Sequence, residues 1–251
     1  MDERLWYLKN SELFERLDEA VIARLEREAR YRKIARGGVV YMPQEAADSV
    51  YLVLTGRVKL FHITPEGKQA VLALIDAGEL FGELALLDGT PREEYAEAME
   101  SSSLLRLPRE IVRDLMASQP DLALGVTRLV GLRRRRIERR LKSLLFRSNR
   151  DRLVGLLLEL AEKYGKRRAD GVELGVRLSH QDLASIIGST RETVTVVLNE
   201  LRNEGSLTIE RRRVILKQVA SLARSVDVAV PEIAPAPSPR AESPRPAGQP
   251  P

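Results

Sequence analysis

Apolar positions change period several times along the chain. Between residues 11 and 30, Leu13, Leu17, Val21 and Leu25 recur at steps of four behind Ser11, which predicts a capped amphipathic helix. From Tyr31 to Leu107 the pattern breaks into short β-rich runs, at Val39 to Tyr41, Val50 to Leu54, Val58 to Ile63, Val71 to Ile75 and Leu104 to Leu107. Many short strands at close spacing predict a β-roll or barrel, with Thr64-Pro65-Glu66-Gly67 as a hairpin turn. After Arg109 the period returns to helical, with Ile111, Val112, Leu115 and Met116 on one face and a break at Gln119-Pro120. Between Asp121 and Arg147, Val130, Ile137, Leu141 and Leu144 step by seven, four and three. That spacing approximates a coiled-coil seam, with Arg134 at one of its positions, and predicts a homodimer.

Beyond a hinge expected at Ser148-Asn149, Leu153, Leu156, Leu157 and Leu160 mark a buried helix over 152–164. A basic turn over 165–171 and a strand over 172–178 follow. Ser179 with Asp182 three residues on has the form of a capping box for a helix carrying Leu183, Ala184, Ile186 and Ile187. Gly188 then turns the chain into GSTRETVTVVLNELRNEG, where Val194, Val197, Leu198 and Leu201 share one face. Ser189 or Thr190 caps this second helix, and Gly205 ends it. Two helices joined by so short a turn make a helix-turn-helix. Arg191, Glu192 and Thr195 then face outward, where an arginine forks onto guanine O6 and N7 and a glutamate accepts from cytosine N4. Leu207 to Ile209 and Val214 to Leu216 bracket a basic hairpin, which reads as a wing.

Charge refines this picture. The formal net charge is only +5, but arginines cluster between Arg128 and Arg152 and again near Arg211, so local patches rather than net charge suggest a polyanion. The run Arg133 to Arg136 with Arg139 and Arg140 reads first as a solvated helix flank, with Glu138 and Lys142 paired at i,i+4, and second as a phosphate-binding cluster. The absence of cysteine excludes disulfides and thiolate metal sites. The first ten residues lack the basic start and apolar core of a signal peptide, and no apolar run approaches about 18 residues, so a cytoplasmic protein with no membrane partner is expected. From about Ala229 the chain is rich in Pro, Ala and Ser and is expected to be disordered.

Two motifs in fixed order resemble the CRP/FNR family of bacterial transcription regulators over roughly residues 10 to 225. Phe81-Gly82-Glu83-Leu84-Ala85-Leu86 followed by Thr90-Pro91-Arg92 looks like the phosphate-binding cassette of cyclic-nucleotide-binding domains. Ser179 to Leu201 is similar to the family's helix-turn-helix through the Arg191-Glu192-Thr193-Val194 string. The resemblance implies an α+β fold: a β-roll sensor with flanking helices over 1–118, a dimerisation helix over 119–147 and a winged helix-turn-helix over 148–228. The Pro-rich tail completes the chain over 229–251. It further implies that Glu83 holds a ribose hydroxyl and Arg92 a cyclic phosphate, with double-stranded palindromic DNA, a second copy and RNA polymerase as partners.

Departures from the family pattern bear on the effector. Glu93, Glu94 and Tyr95 stand where the cyclic-nucleotide pattern has small residues, and a like-charge contact at about 4 Å costs on the order of 4 kcal/mol at an effective dielectric of about 20. Ile137 and Glu138 stand where the cAMP-responsive branch carries small hydroxyl residues. The effector is therefore left between a cyclic mononucleotide or dinucleotide bound through Gly82, Glu83, Leu84, Ala85 and Arg92, and no ligand, with Arg92 neutralised by Glu83 or Glu94. A third reading has Arg133 and Arg136, beside Ile137, clamp a larger anionic messenger. On the DNA side, Arg191, Glu192 and Val196 are the expected base readers. Val196 replaces an arginine of the cAMP branch, and a valine touches only a thymine methyl. Ser179, Gln181, Thr190, Thr195, Arg211, Arg212, Arg213 and Lys217 are the expected backbone contacts.

Two rival functions compete with this reading. Ser179, His180 and Asp182 have the residue types of a hydrolytic triad, but neighbours on one capped turn do not place a base between nucleophile and orienter, so no catalytic residues are assigned. No metal ligands are assigned either; His62, on a strand, is the one residue a haem could use. A cyclic-nucleotide-binding interaction module with no DNA role is the remaining alternative.

Overall fold

In the computed structural model, residues 18–87, 89–210 and 213–233 are described below. The expected Ser11 cap, the apolar positions Leu13 and Leu17, Arg211, Arg212 and the greater part of the Pro-rich tail fall outside them. The chain divides into two compact units between residues 143 and 144.

The first unit begins with α1 (Glu19–Glu28), whose Ile22 and Leu25 are fully buried. Eight strands follow: β1 (Arg30–Ile34), β2 (Val39–Tyr41), β3 (Ser49–Thr55), β4 (Arg57–Ile63), β5 (Gln69–Asp76), β6 (Leu80–Phe81), β7 (Tyr95–Ala98) and β8 (Ser102–Pro108). They form two antiparallel sheets in the orders β1-β8-β3-β6 and β2-β7-β4-β5. The five strands expected from alternation are all present. β1, β6 and β7 are additional. The β4–β5 hairpin turns at Thr64–Gly67, where Gly67 takes φ 78° and its N–H donates to the Thr64 carbonyl at 2.8 Å. One apolar cluster joins Val50, Leu52, Leu105 and Leu107 to α2 (Arg109–Ser118) and to Leu122 and Val126 of α3 (Pro120–Phe146). A second, with Tyr41, Tyr51, Val58 and Phe81, fills the space between the sheets.

Over its 27 residues α3 reaches about 40 Å. Past Leu129, which still packs on the first cluster, its apolar side chains become more exposed: Ile137 is 50% exposed and Leu141 56%, while Val130 is half-buried. The arginine run is not uniformly solvated as expected. Arg134, Arg135 and Arg139 are exposed, but Arg133 and Arg140, seven residues and two turns apart, lie on one face and are both engaged with the sheets. Arg140 Nη1 donates to the carbonyls of Val71 and Leu72, at 3.1 and 2.7 Å. Glu138 is held by Arg134 at 2.8 Å, not by Lys142 as expected.

In the second unit, α4 (Asn149–Tyr164) starts on a complete capping box between Ser148 and Asp151, so the expected hinge is a helix start. Leu153, Leu156, Leu157 and Leu160 are buried. The expected basic turn over 165–171 is instead a strand, β9 (Gly165–Arg168), paired with β10 (Gly171–Leu174). Its basic side chains project to solvent from the edge of the sheet, leaving no apolar alternation to mark it. Next come α5 (His180–Ile187), α6 (Arg191–Asn203), β11 (Leu207–Glu210), β12 (Arg213–Leu216) and α7 (Val219–Ser225), with strand order β11-β12-β10-β9.

Candidate nucleic-acid interface and sensor pocket

The helix pair α5–α6 is fixed by local chemistry. Ser179 accepts from the Asp182 N–H while Asp182 accepts from the Ser179 N–H at 2.8 Å, satisfying two orphan donors at the start of α5. This reciprocal bonding occupies Ser179 and Asp182, and His180 turns to α6, so no nucleophile–base relay forms. Gly188 makes the turn at φ 65°, and a Cβ there would stand 2.9 Å from Leu144 Cδ2. The Thr190 hydroxyl caps α6 by accepting from the Thr193 N–H at 3.2 Å. Val194, Val197, Leu198 and Leu201 are buried as expected.

Opposite that face runs an outward stripe of Arg191, Glu192, Val196 and Asn199, with Thr195 half-buried along it. Asn199 escaped the sequence reading, although its spacing of three from Val196 placed it on the stripe. His180 escaped it too. Its Nδ1 lies 2.8 Å from Thr195 Oγ1, and that hydroxyl also donates to the Arg191 carbonyl at 2.8 Å.

Among the described residues, three cations of the wing sheet are tied to carboxylates. Arg213 and Arg168 both grip the buried Glu173, and Lys217 pairs with Asp170. Gln181 is exposed and donates to Ser185 Oγ at 3.3 Å. Arg213 and Lys217, expected as backbone contacts, each use only part of their N–H donors in these pairs.

In the first unit, Gly82 takes the left-handed conformation, φ 72°, and starts a single 3₁₀ turn that buries Glu83, Ala85 and Leu86 and leaves Leu84 exposed. A Cβ on Gly82 would stand 2.7 Å from Arg92 Nη1. Arg92 is buried and donates to the carbonyls of Gly82, at 3.0 Å, and Ser49. Its guanidinium carbon sits 4.4 Å from the Tyr41 ring centroid, a cation–π distance, and its Nε has no hydrogen-bond partner. Tyr41, Tyr51 and Phe81 stack into an aromatic floor that the sequence reading did not assign to the pocket.

The expected neutralisation of Arg92 by Glu83 or Glu94 does not occur. Glu83 is ion-paired with Arg133 of α3, which also donates to the Leu80 carbonyl. Glu94 accepts the Tyr41 hydroxyl at 2.7 Å. Burial first, and then the Glu94 carboxylate, hold that phenol protonated well above the usual tyrosine range. Glu93 points to solvent, so the like-charge clash foreseen beside the pocket falls on Glu94 alone. The structure therefore brings Gly82, Glu83, Arg92 and Arg133 together, while Arg136 is half-buried and Ile137 exposed. His62 is exposed on β4, opposite Ala70. Among the described residues no helix is long and apolar enough to cross a membrane.

Comparison with known proteins bears on both sites. A model of the cyclic nucleotide-binding domain matches residues 31–119, and one of the Crp-like helix-turn-helix domain matches residues 151–225. The chain is 32% identical to the global nitrogen regulator of Nostoc sp., covering 75% of this chain and 86% of that protein. It is likewise 32% identical to the cyclic AMP receptor protein of Thermus thermophilus, over 76% of this chain and 85% of the relative. A crystal structure of a CRP-family transcriptional regulator, also from Thermus thermophilus, superposes with a TM-score of 0.68 at 30% identity, covering 81% of this chain and 100% of that one.

Proposed function

This chain belongs to the CRP/FNR family of transcription regulators, and from that premise we propose that it is a homodimer reading a palindromic operator with α6, without a cyclic mononucleotide. The observation that carries the reading is the exposed stripe of Arg191, Glu192 and Val196 on a helix whose opposite face is wholly buried and whose start is capped. Arg191 takes guanine and Glu192 cytosine, and Gln181 and Thr190 hold the backbone near the helix starts, whereas the Ser179 hydroxyl already gives its proton to Asp182 Oδ2 at 2.6 Å. Half-site centres about one helical turn apart, roughly 34 Å, follow from the two-fold symmetry of a dimer. RNA polymerase is the expected downstream partner.

Selection from random duplex DNA tests the reading. It is expected to return a palindrome that keeps the G·C pair read by Arg191 and departs from the cAMP-branch half-site where Val196 stands. Recovery of the complete cAMP-branch half-site contradicts the role given to Val196.

The dimer rests on α3, whose exposed Ile137 and Leu141 continue the seam from Val130 toward Leu144. Leu141→Asp places a charge in that seam and is expected to halve the mass measured by light scattering while operator affinity collapses. A variant that remains dimeric puts the interface elsewhere.

For the sensor, Glu83 is the group that would receive a ribose hydroxyl, and Arg133 already occupies it. A nucleotide hydroxyl would have to share that carboxylate with Arg133, whose pair holds Oε2, or break a buried ion pair to take it over.

A further inference from the structure

Thr195 lies on the stripe that faces DNA, yet its hydroxyl is consumed inside the protein. It donates to the Arg191 carbonyl and meets His180 Nδ1, each at 2.8 Å. A hydroxyl has one proton, so both bonds form together only when the ring proton sits on Nδ1 and His180 donates. Phosphate oxygens only accept, and Thr195 has no donor left for them. The backbone contact expected of this residue is thus already spent.

What remains to Thr195 is its methyl group, and its neighbour Val196, 56% exposed, offers only methyls. Two adjacent positions in the middle of the outward stripe therefore present apolar groups between the Arg191–Glu192 pair and Asn199. The apolar feature of a base edge in the major groove is the thymine C5-methyl.

We propose that Thr195 and Val196 form a methyl-reading surface that selects thymine in the operator half-site, with His180 a positioning residue that holds the Thr195 hydroxyl inward. This rests on α6 being the helix that enters the groove. Because the hydroxyl is already engaged within the protein, specificity at these steps is left to shape and apolar contact. His180 acts through Thr195 and touches no base.

Deoxyuridine lacks only the C5-methyl, so it isolates the contact. Sequence-selective binding of the wild-type protein to the selected operator is measured first at one fixed salt. Thymines of the half-site are then replaced singly by deoxyuridine. At one or two positions a loss of about fourfold per half-site is expected, the loss for one buried methyl group. Thr195→Ser, which keeps the hydroxyl and removes the methyl, is expected to abolish the discrimination at its position, whereas Thr195→Val, which does the reverse, retains it. His180→Phe is expected to reduce the thymine-to-deoxyuridine ratio and His180→Asn, which restores a donor, to recover it.

Selective binding with no deoxyuridine effect at any thymine overturns the proposal and leaves the recognition-helix reading standing, as does discrimination that survives in Thr195→Ser but not in Thr195→Val. An unchanged ratio in His180→Phe removes the positioning role. Absence of any selective binding by the wild type instead removes the reading of α6, and the methyl surface with it.

Discussion

Replacing Arg191 with alanine is expected to lower operator affinity about a hundredfold or more at fixed salt, while binding to unrelated DNA falls far less. One bidentate arginine–guanine contact contributes about 1–3 kcal/mol of discrimination, and a two-fold symmetric complex loses it twice. At about 1.4 kcal/mol per factor of ten, two losses of intermediate size give two to three orders of magnitude. The side chain is exposed in the first turn of α6 and is not part of its buried face, so the variant should fold as the wild type does. Fluorescence anisotropy with the operator and a scrambled duplex separates the two effects. Equal losses on both would make Arg191 a phosphate contact rather than a base reader.

The second large effect belongs to the sensor. Arg133→Ala is expected to destabilise the protein by about 3 kcal/mol, because it strands the Glu83 carboxylate, whose side chain is 8% exposed, without its cation. For a unit of this size that corresponds to a fall in Tm of roughly 10 °C. Removing both charges together, in Glu83→Gln with Arg133→Met, is expected to recover most of the loss, since a buried pair costs more when broken than when replaced. Thermal denaturation of the single and double variants checks this. If Arg133→Ala melts as the wild type does, the pair does not hold α3 against the cassette, and Glu83 is open to another ligand.

Where partners are near in sequence, the chain could be read directly. The Ser179–Asp182 capping box spans three residues, and the buried face of α6 repeats every three or four, so both were legible. The five expected strands of the first unit announced themselves by short apolar runs between turn residues. β9 did not, because an edge strand of Lys166, Arg167 and Arg168 buries no face. β6 is only two residues long, too short to alternate.

The pocket was legible in its parts and not in its wiring. Glu83, Arg92 and the arginines of α3 were each marked, but the pairing of Glu83 with Arg133 joins residues 50 apart in sequence, and no local pattern encodes it. The spacing of Arg133 and Arg140 by seven was the available sign that the two share a face. In one of the readings left open by the residues, Arg92 meets the carboxylate of Glu83 or Glu94. Instead two backbone carbonyls and the Tyr41 ring satisfy it, leaving Nε without a partner. On α6, Arg191 and Glu192 face outward as expected but Thr195 is half-buried, and the inward use of its hydroxyl depended on His180 arriving from another helix.

We propose a regulator that reads a palindrome through α6 and whose cassette Glu83 is already paired with Arg133. The most direct measurement is binding of the purified protein to its selected operator and to a scrambled duplex at one fixed salt, with and without added cAMP, cGMP or cyclic di-GMP. The expected result is a preference for the operator of about a thousandfold or more that none of the nucleotides changes. Equal binding to both duplexes, or a preference that appears only when a nucleotide is added, would contradict it.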